Sequence, residues 1–169
     1  MPDLAKFEQI VLQHLDAAHN LARWLVSDAT LAEDVVQDAA LRALGYFASY
    51  RGGDARAWLL RIVRNTAYDT LTNRRRHAAD NLDPAVLDIA DGADTPETTL
   101  SRREGQALVN RALAALPVEL RECLVLRELE ELSYKEIAYV TGVPVGTVMS
   151  RLWRGRQALM NNPILGQQP

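Results

Sequence analysis

The stretch Leu132-Ser133-Tyr134-Lys135-Glu136-Ile137-Ala138, followed by Thr141-Gly142-Val143-Pro144-Val145-Gly146, decides the fold. Ser133 and Glu136 have the spacing of a capping box, in which each side chain satisfies the other residue's free backbone N–H. Leu132 precedes the cap and can pack on Ile137 as a hydrophobic staple. The short helix this starts is stopped at Gly142, which can take the left-handed conformation that ends a helix. Pro144 pre-sets the backbone for a new helix start. Helix, tight turn, helix is the helix-turn-helix pattern.

The second of these helices has distinct faces at roughly 100° per residue. Val148, Leu152, Gly155 and Leu159 fall together and are expected to face the core. Ser150, Trp153, Arg154 and Gln157 fall opposite, with Thr147, Met149 and Arg151 on the flanks. A helix that enters a major groove needs hydrogen-bonding side chains near its N-terminal half and arginines for phosphates or guanine edges. Thr147, Ser150, Arg151 and Arg154 meet that description. The competing reading is an ordinary amphipathic helix with a solvated face.

Upstream, Phe7, Ile10, Val11, Leu15, Ala18, Ala22 and Leu25 form one apolar helical stripe. Ser27-Asp28 interrupts it, and Thr30 with Glu33 has capping-box spacing for a second helix reaching about Phe47. On that helix Asp34, Gln37, Asp38 and Leu41 share a stripe apart from the inward one of Val35, Ala39 and Ala43. A polar stripe is usually a solvated face, but Leu41 beside the carboxylates suits a contact with a basic protein partner. Arg51-Gly52-Gly53-Asp54 reads as a loop, and Asp54 as the N-cap of a third helix. Loop and helix interleave aromatic and basic residues: Tyr46, Phe47, Tyr50, Arg51, Arg56, Trp58, Arg61, Arg64 and Tyr68. Aromatic faces can stack on unpaired bases while arginines neutralise phosphates. Asn65, beside Arg61 and Arg64, can both donate to and accept from a base edge. Core burial is the other reading for Phe47, and in part for Trp58.

The formal net charge of the 169 residues is −3, but its distribution is uneven. Residues 51–76 hold Arg51, Arg56, Arg61, Arg64, Arg74, Arg75 and Arg76 against Asp54 and Asp69. Residues 77–103 hold six acids, from Asp80 to Glu97, against Arg102 and Arg103. Pro84, Gly92 and Pro96 accompany the loss of periodicity there, as in a flexible acidic linker. Patterning resumes with Leu108, Ala112 and Ala115, and Pro117 opens a helix through Leu120, Cys123 and Leu124. The expected fold is all-α: two small helical domains, residues 1–76 and 104–169, joined by a linker at 77–103.

No apolar run approaches the ~18 residues that span a bilayer. The N-terminus lacks a basic-then-apolar leader pattern, and the single Cys123 allows no intrachain disulfide. A cytoplasmic protein without membrane insertion is the expectation. His14, His19 and His77 lack metal-ligand spacing, and no glycine-rich phosphate loop follows a strand. Neither an enzyme nor a bound cofactor is expected.

Taken together and in order, these segments resemble the extracytoplasmic-function (ECF) sigma factors. Ala32-Glu33-Asp34-Val35-Val36-Gln37-Asp38 is similar to the family's AEDLVQ stretch. Trp58-Leu59-Leu60-Arg61-Ile62-Val63-Arg64-Asn65 is similar to its WLxxIxRN stretch, and Arg74-Arg75-Arg76 to the basic end of that helix. Leu113 to Pro117 resembles the start of the family's second domain, and Leu132 to Ala138 with Pro144 to Arg151 resembles its helix-turn-helix.

The resemblance implies a first domain of sigma region 2 type and a second of region 4 type. Asp34, Gln37, Asp38 and Leu41 would meet the β′ clamp coiled coil of core RNA polymerase, whose β flap is the other implied partner. Tyr50, Arg51, Arg56, Trp58, Arg61, Arg64, Asn65, Arg74, Arg75 and Arg76 would open and read the −10 promoter element. A flipped base held in a pocket there offsets its unstacking. Thr147, Ser150, Arg151, Trp153 and Arg154 would read the −35 element. An anti-sigma factor is a further implied partner, and a stress or envelope response the implied setting. Where many members carry a basic residue this chain has Met149, and no contact is carried over to it. A fused C-terminal sensory domain is not expected. The rival is a free-standing helix-turn-helix regulator, which leaves the N-terminal motifs unexplained. The expectation is of two compact helical units gripping separate DNA stretches while docked to a larger machine, and a single fused globule with a buried third-helix arginine block, or a central sheet, would overturn the assignment.

Overall fold

A computed structural model describes residues 3–81 and 101–163, and among these the chain forms helices and turns with no strand. Asp3 caps α1 (Leu4–Ile10), accepting from the Lys6 N–H. A single 3-10 turn, Leu12–His14, leads into α2 (Leu15–Val26). The apolar stripe read from the sequence continues across this break: Phe7, Val11, Ala18, Ala22 and Leu25 are all buried.

Ser27 ends α2 in the left-handed region at φ 56°. Helix α3 (Ala29–Tyr46) is then capped by Asp28, whose carboxylate accepts from the Leu31 N–H at 3.0 Å. The expected Thr30–Glu33 box is not the cap. Helix α3 starts at Ala29, so Thr30 already lies in its first turn, and an extended carboxylate one residue before the helix satisfies the orphan donor.

A 3-10 turn, Phe47–Ser49, leads into the loop before α4 (Ala55–Asn81). Gly52 and Gly53 have φ values of 89° and 90°, which residues with a Cβ rarely adopt. Asp54 then caps α4 through the Ala57 N–H at 3.1 Å, as expected. Leu59, Leu60, Val63 and Ala67 turn into the core with α2 and α3. The helix continues past Arg76 to Asn81, five residues into the segment read as linker. The rest of that segment to residue 100 lies outside the described residues.

The second unit comprises α5 (Ser101–Ala114), α6 (Val118–Leu124), a π-helical turn (Val125–Leu129), α7 (Tyr134–Thr141) and α8 (Val145–Met160). Helix α5 therefore starts inside the segment read as linker. Pro117 stands at the N-cap of α6, one position earlier than the first-turn place expected. The helix-turn-helix forms as read. Ser133 and Glu136 close a full capping box, Leu132 and Ile137 are buried, and Gly142 ends α7 at φ 74°. Val148, Leu152 and Gly155 anchor α8 inward. Gly155 permits close approach to α6, since a Cβ there would come within 2.9 Å of the Leu124 side chain.

The two units pack together, α4 against α7 and α2 against α6, and their buried apolar residues form one continuous cluster. This departs from the expectation of two separate units. Arginines of α4 pair with acids of the second unit across the junction.

Candidate polymerase and promoter interfaces

Three surfaces carry the residues singled out from the sequence. On α3, Asp34, Gln37, Asp38 and Leu41 are all exposed and form one ridge, with Leu41 71% exposed. The opposite face, Ala32, Val35, Val36, Ala39 and Ala43, is buried and fixes the ridge outward. Asp38 pairs with Arg42 at 3.2 Å, and Arg42 reaches Asp69 of α4 at 2.9 Å. An acidic ridge ending in a bare leucine has the chemistry to dock on a basic partner with an apolar spot.

The second surface is the 50–54 loop with the start of α4. Phe47 is buried as an aromatic anchor. Tyr50 stacks on it at 5.7 Å between centroids, and Trp58 lies 5.2 Å from Tyr50. Trp58 is half-buried, the partial burial anticipated for it. The Tyr50 hydroxyl donates to the Gly53 carbonyl at 2.8 Å and pins the loop. Tyr50, Arg51 and Trp58 line a cleft of about 500 Å³, closed on its far side by Lys135, Glu136 and Tyr139 of α7. Arg51, Arg61, Asn65, Arg75 and Arg76 are exposed, and Arg74 is half-exposed.

Arg56 and Arg64 are not free. Arg56 donates to the Glu130 carboxylate at 2.6 Å and to the Glu130 carbonyl. Arg64 grips both carboxylate oxygens of Glu122, at 2.9 and 3.2 Å, with its guanidinium 3.7 Å from the Tyr68 ring centroid. Glu122 is fully buried, and burial pushes its carboxyl above the usual range against the opposing pull of Arg64. Burial likewise pulls on the Arg64 guanidinium, but Glu122 prevails and holds it above its ordinary value. Arg56 and Arg64, both expected at the −10 element, are thus engaged by carboxylates within the chain. The second unit brings those carboxylates to them.

The third surface is α8. Ser150, Trp153 and Arg154 are exposed on one side and Thr147 is half-buried at its edge. Arg151 turns the other way, only 20% exposed, with its Nη1 3.9 Å from Glu122. Met149 is 52% exposed on the flank. Four of the five residues expected at the −35 element therefore share a side, and Arg151 stands apart.

Sequence reasoning missed Arg121, Glu122 and Glu130. The one visible signal was a charged pair, Arg121-Glu122, inside the apolar run from Leu120 to Leu126. Among the described residues no group of three or more His, Cys, Asp or Glu is placed to hold a metal ion, and no helix is long and apolar enough to cross a membrane.

Residues 10–77 match the sigma-70 region 2 family, and residues 106–159 match the sigma-70 region 4 family. The chain is 37% identical over 169 aligned residues to the RNA polymerase sigma-H factor of Pseudomonas aeruginosa, covering 93% of this chain and 86% of that protein. It is 38% identical over 136 residues to the ECF RNA polymerase sigma-E factor of Escherichia coli K12, covering 76% of this chain and 71% of that one. Among solved structures, the sigma factor RpoE of Bartonella quintana, in complex with the anti-sigma factor NepR, matches with a TM-score of 0.75. The identity is 28%, over 97% of this chain and 99% of that one. CnrH, in complex with the cytosolic domain of CnrY, matches with a TM-score of 0.65 at 27% identity, over 94% and 87%. Both halves match in the family's order and relatives align across their junction, so the chain belongs to the ECF sigma factors of bacterial RNA polymerase.

Proposed function

We propose that this ECF sigma factor loads onto core polymerase through the α3 ridge and reads its promoters with two separate helical faces. Sigma factors direct core RNA polymerase to promoters and set where transcription starts. Asp34, Gln37, Asp38 and Leu41 serve as the contact with the β′ clamp coiled coil. The β flap takes the second domain. Tyr50 and Trp58 present the aromatic faces for an unpaired −10 base, with Arg51, Arg56, Arg61, Arg64, Asn65 and Arg74 to Arg76 along the strand. Thr147, Ser150, Trp153 and Arg154 read the −35 element, and Arg151 supports their helix from behind. The first domain is taken as residues 1–76 and the second as 104–169, with helices α4 and α5 extending a few residues into the segment between them. The factor works in the cytoplasm without a catalytic step of its own.

The single observation that carries this reading is the outward α3 ridge and the outward α8 face on one chain whose halves match regions 2 and 4. Holding both readers on one enzyme makes two weak DNA contacts intramolecular, raising their joint affinity through effective concentration. An anti-sigma factor controls it, as supported by the likeness to sigma factors solved with NepR and with CnrY. The deciding experiment is co-elution with core polymerase followed by promoter-dependent run-off transcription. Tight sequence-specific binding to a palindromic site without polymerase would instead favour a free-standing regulator.

A further inference from the structure

We propose that Met149 and Trp153 form one apolar patch on α8 that reads thymine 5-methyl groups in the −35 element. This deepens the assignment of α8 to −35 DNA and rests on it. Met149 has no role in that assignment, and Trp153 entered it without a stated chemistry.

Met149 is 52% exposed and Trp153 63% exposed, whereas Val148 and Leu152 of the same turns are buried. The two exposed residues are four apart, so they lie one above the other on the helix surface. Neither contributes to the continuous apolar cluster that joins the described residues. Ser150 and Arg154, both exposed, run beside them as the polar part of the same side. Toward the C-terminus the stripe is closed by Arg156, which Glu128 holds at 2.8 Å. Gly146, exposed a turn earlier, leaves the start of this side bare. A Cβ there would meet nothing within 4 Å, so packing inside the chain does not account for the missing side chain. The bare backbone lets the first turn come closer to the surface it faces.

The occupant follows from what a major groove offers. Its base edges present donors and acceptors, and the one apolar group among them is the C5-methyl of thymine. Ser150 and Arg154 have hydrogen-bonding counterparts on those edges; the Met149 thioether chain and the Trp153 ring face have the methyl. Methionine is flexible and polarizable enough to settle on so small a group. Four residues of helix rise by roughly 6 Å, close to two base steps of about 3.4 Å. The two side chains can therefore meet methyls on nearby base pairs. Such contacts separate T·A from C·G, and they also separate thymine from uracil.

The test uses the full-length chain with core polymerase. Run-off transcription from promoters with a randomised −35 segment first gives the preferred element. Each thymine in it is then replaced by deoxyuridine, which removes the methyl and leaves base pairing and the donor and acceptor pattern intact. Wild-type initiation should fall roughly fourfold at one or two of these positions, the effect of one buried methyl-sized group. Met149→Ala should become indifferent to deoxyuridine at one or more of them, and so should Trp153→Ala. Met149→Leu, apolar and of similar volume, should keep the wild-type response. Circular dichroism checks that each variant is folded. A −35 element that is read but insensitive to deoxyuridine at every thymine overturns the methyl contact and leaves the proposed function standing. So does a deoxyuridine effect that survives in both alanine variants, or a preferred element with no thymine on either strand. Initiation that ignores the −35 segment altogether removes α8 from that element, and this inference with it.

Discussion

Arg121 of α6 donates from Nη1 to the Trp24 carbonyl of α2 at 2.7 Å, tying the second unit to the first through one buried side chain. The same guanidinium donates to the carbonyls of Leu113, Ala114 and Leu116 at 3.1, 3.1 and 2.9 Å. It thus places a cation against the carbonyl end of α5 and near that of α2, where helix dipoles favour positive charge. Burial pulls the guanidinium below its ordinary value, and the four carbonyls offset that cost. Lysine cannot reproduce this planar fork. Arg121→Lys is expected to lower the stability of the folded chain by about 2–3 kcal/mol, since buried carbonyls lose charge-assisted partners. Urea unfolding followed by circular dichroism measures it, and an unchanged midpoint would remove the tie.

Cys123, the next residue, is fully buried beside Glu122, and burial pushes its thiol up to about 11 from 9.0. The native thiol should therefore resist a thiol reagent at pH 8, with labelling slowed roughly a thousandfold or more relative to the unfolded chain. A thiol that ionises more readily unfolded than folded favours the folded chain below pH 9. That support is withdrawn as pH rises from 9 to about 11. Thermal melts across this range check the sign, and prompt labelling at pH 8 under native conditions would contradict the packing.

The α3 ridge gives a prediction independent of the closed junction. Asp34 is exposed and makes none of the ion pairs described for this helix, so Asp34→Lys should leave helical content unchanged. Its reversed charge should weaken core polymerase binding by roughly tenfold, as a like charge meets a basic partner. Unaltered affinity in a titration against core enzyme would remove the ridge from the interface.

Local structure was legible in the sequence wherever a cap or a period fixes it. Ser133, Glu136 and Gly142 bound α7 as their chemistry dictates, and Val148, Leu152 and Gly155 turn inward at the spacing read from them. Thr30 misled because the competing cap, Asp28, lies just before it and reaches the same turn. The union of the two units was not legible. Arg64 and Glu122 are 58 residues apart, and Arg56 and Glu130 are 74 apart. No local pattern links such positions. An arginine that faces DNA and one that faces a carboxylate look alike until the other helix is placed.

That ambiguity bears on two arginines of α8, both expected at the −35 element, one on its outward face and one on its flank. Arg154 is exposed on the side shared by Ser150 and Trp153, while Arg151 is turned toward the buried Glu122. Arg154→Ala should therefore reduce −35-dependent initiation by about 1–3 kcal/mol of recognition, with polymerase binding and melting temperature unchanged. Arg151→Ala should do the reverse. It leaves Glu122 one cation fewer within a buried site, so it should lower the melting temperature while the preferred −35 sequence stays the same. Run-off transcription on promoters carrying single −35 substitutions, alongside thermal unfolding, reads both effects. If Arg151→Ala relaxes sequence preference without loss of stability, the inward placement of that side chain does not describe the factor on DNA.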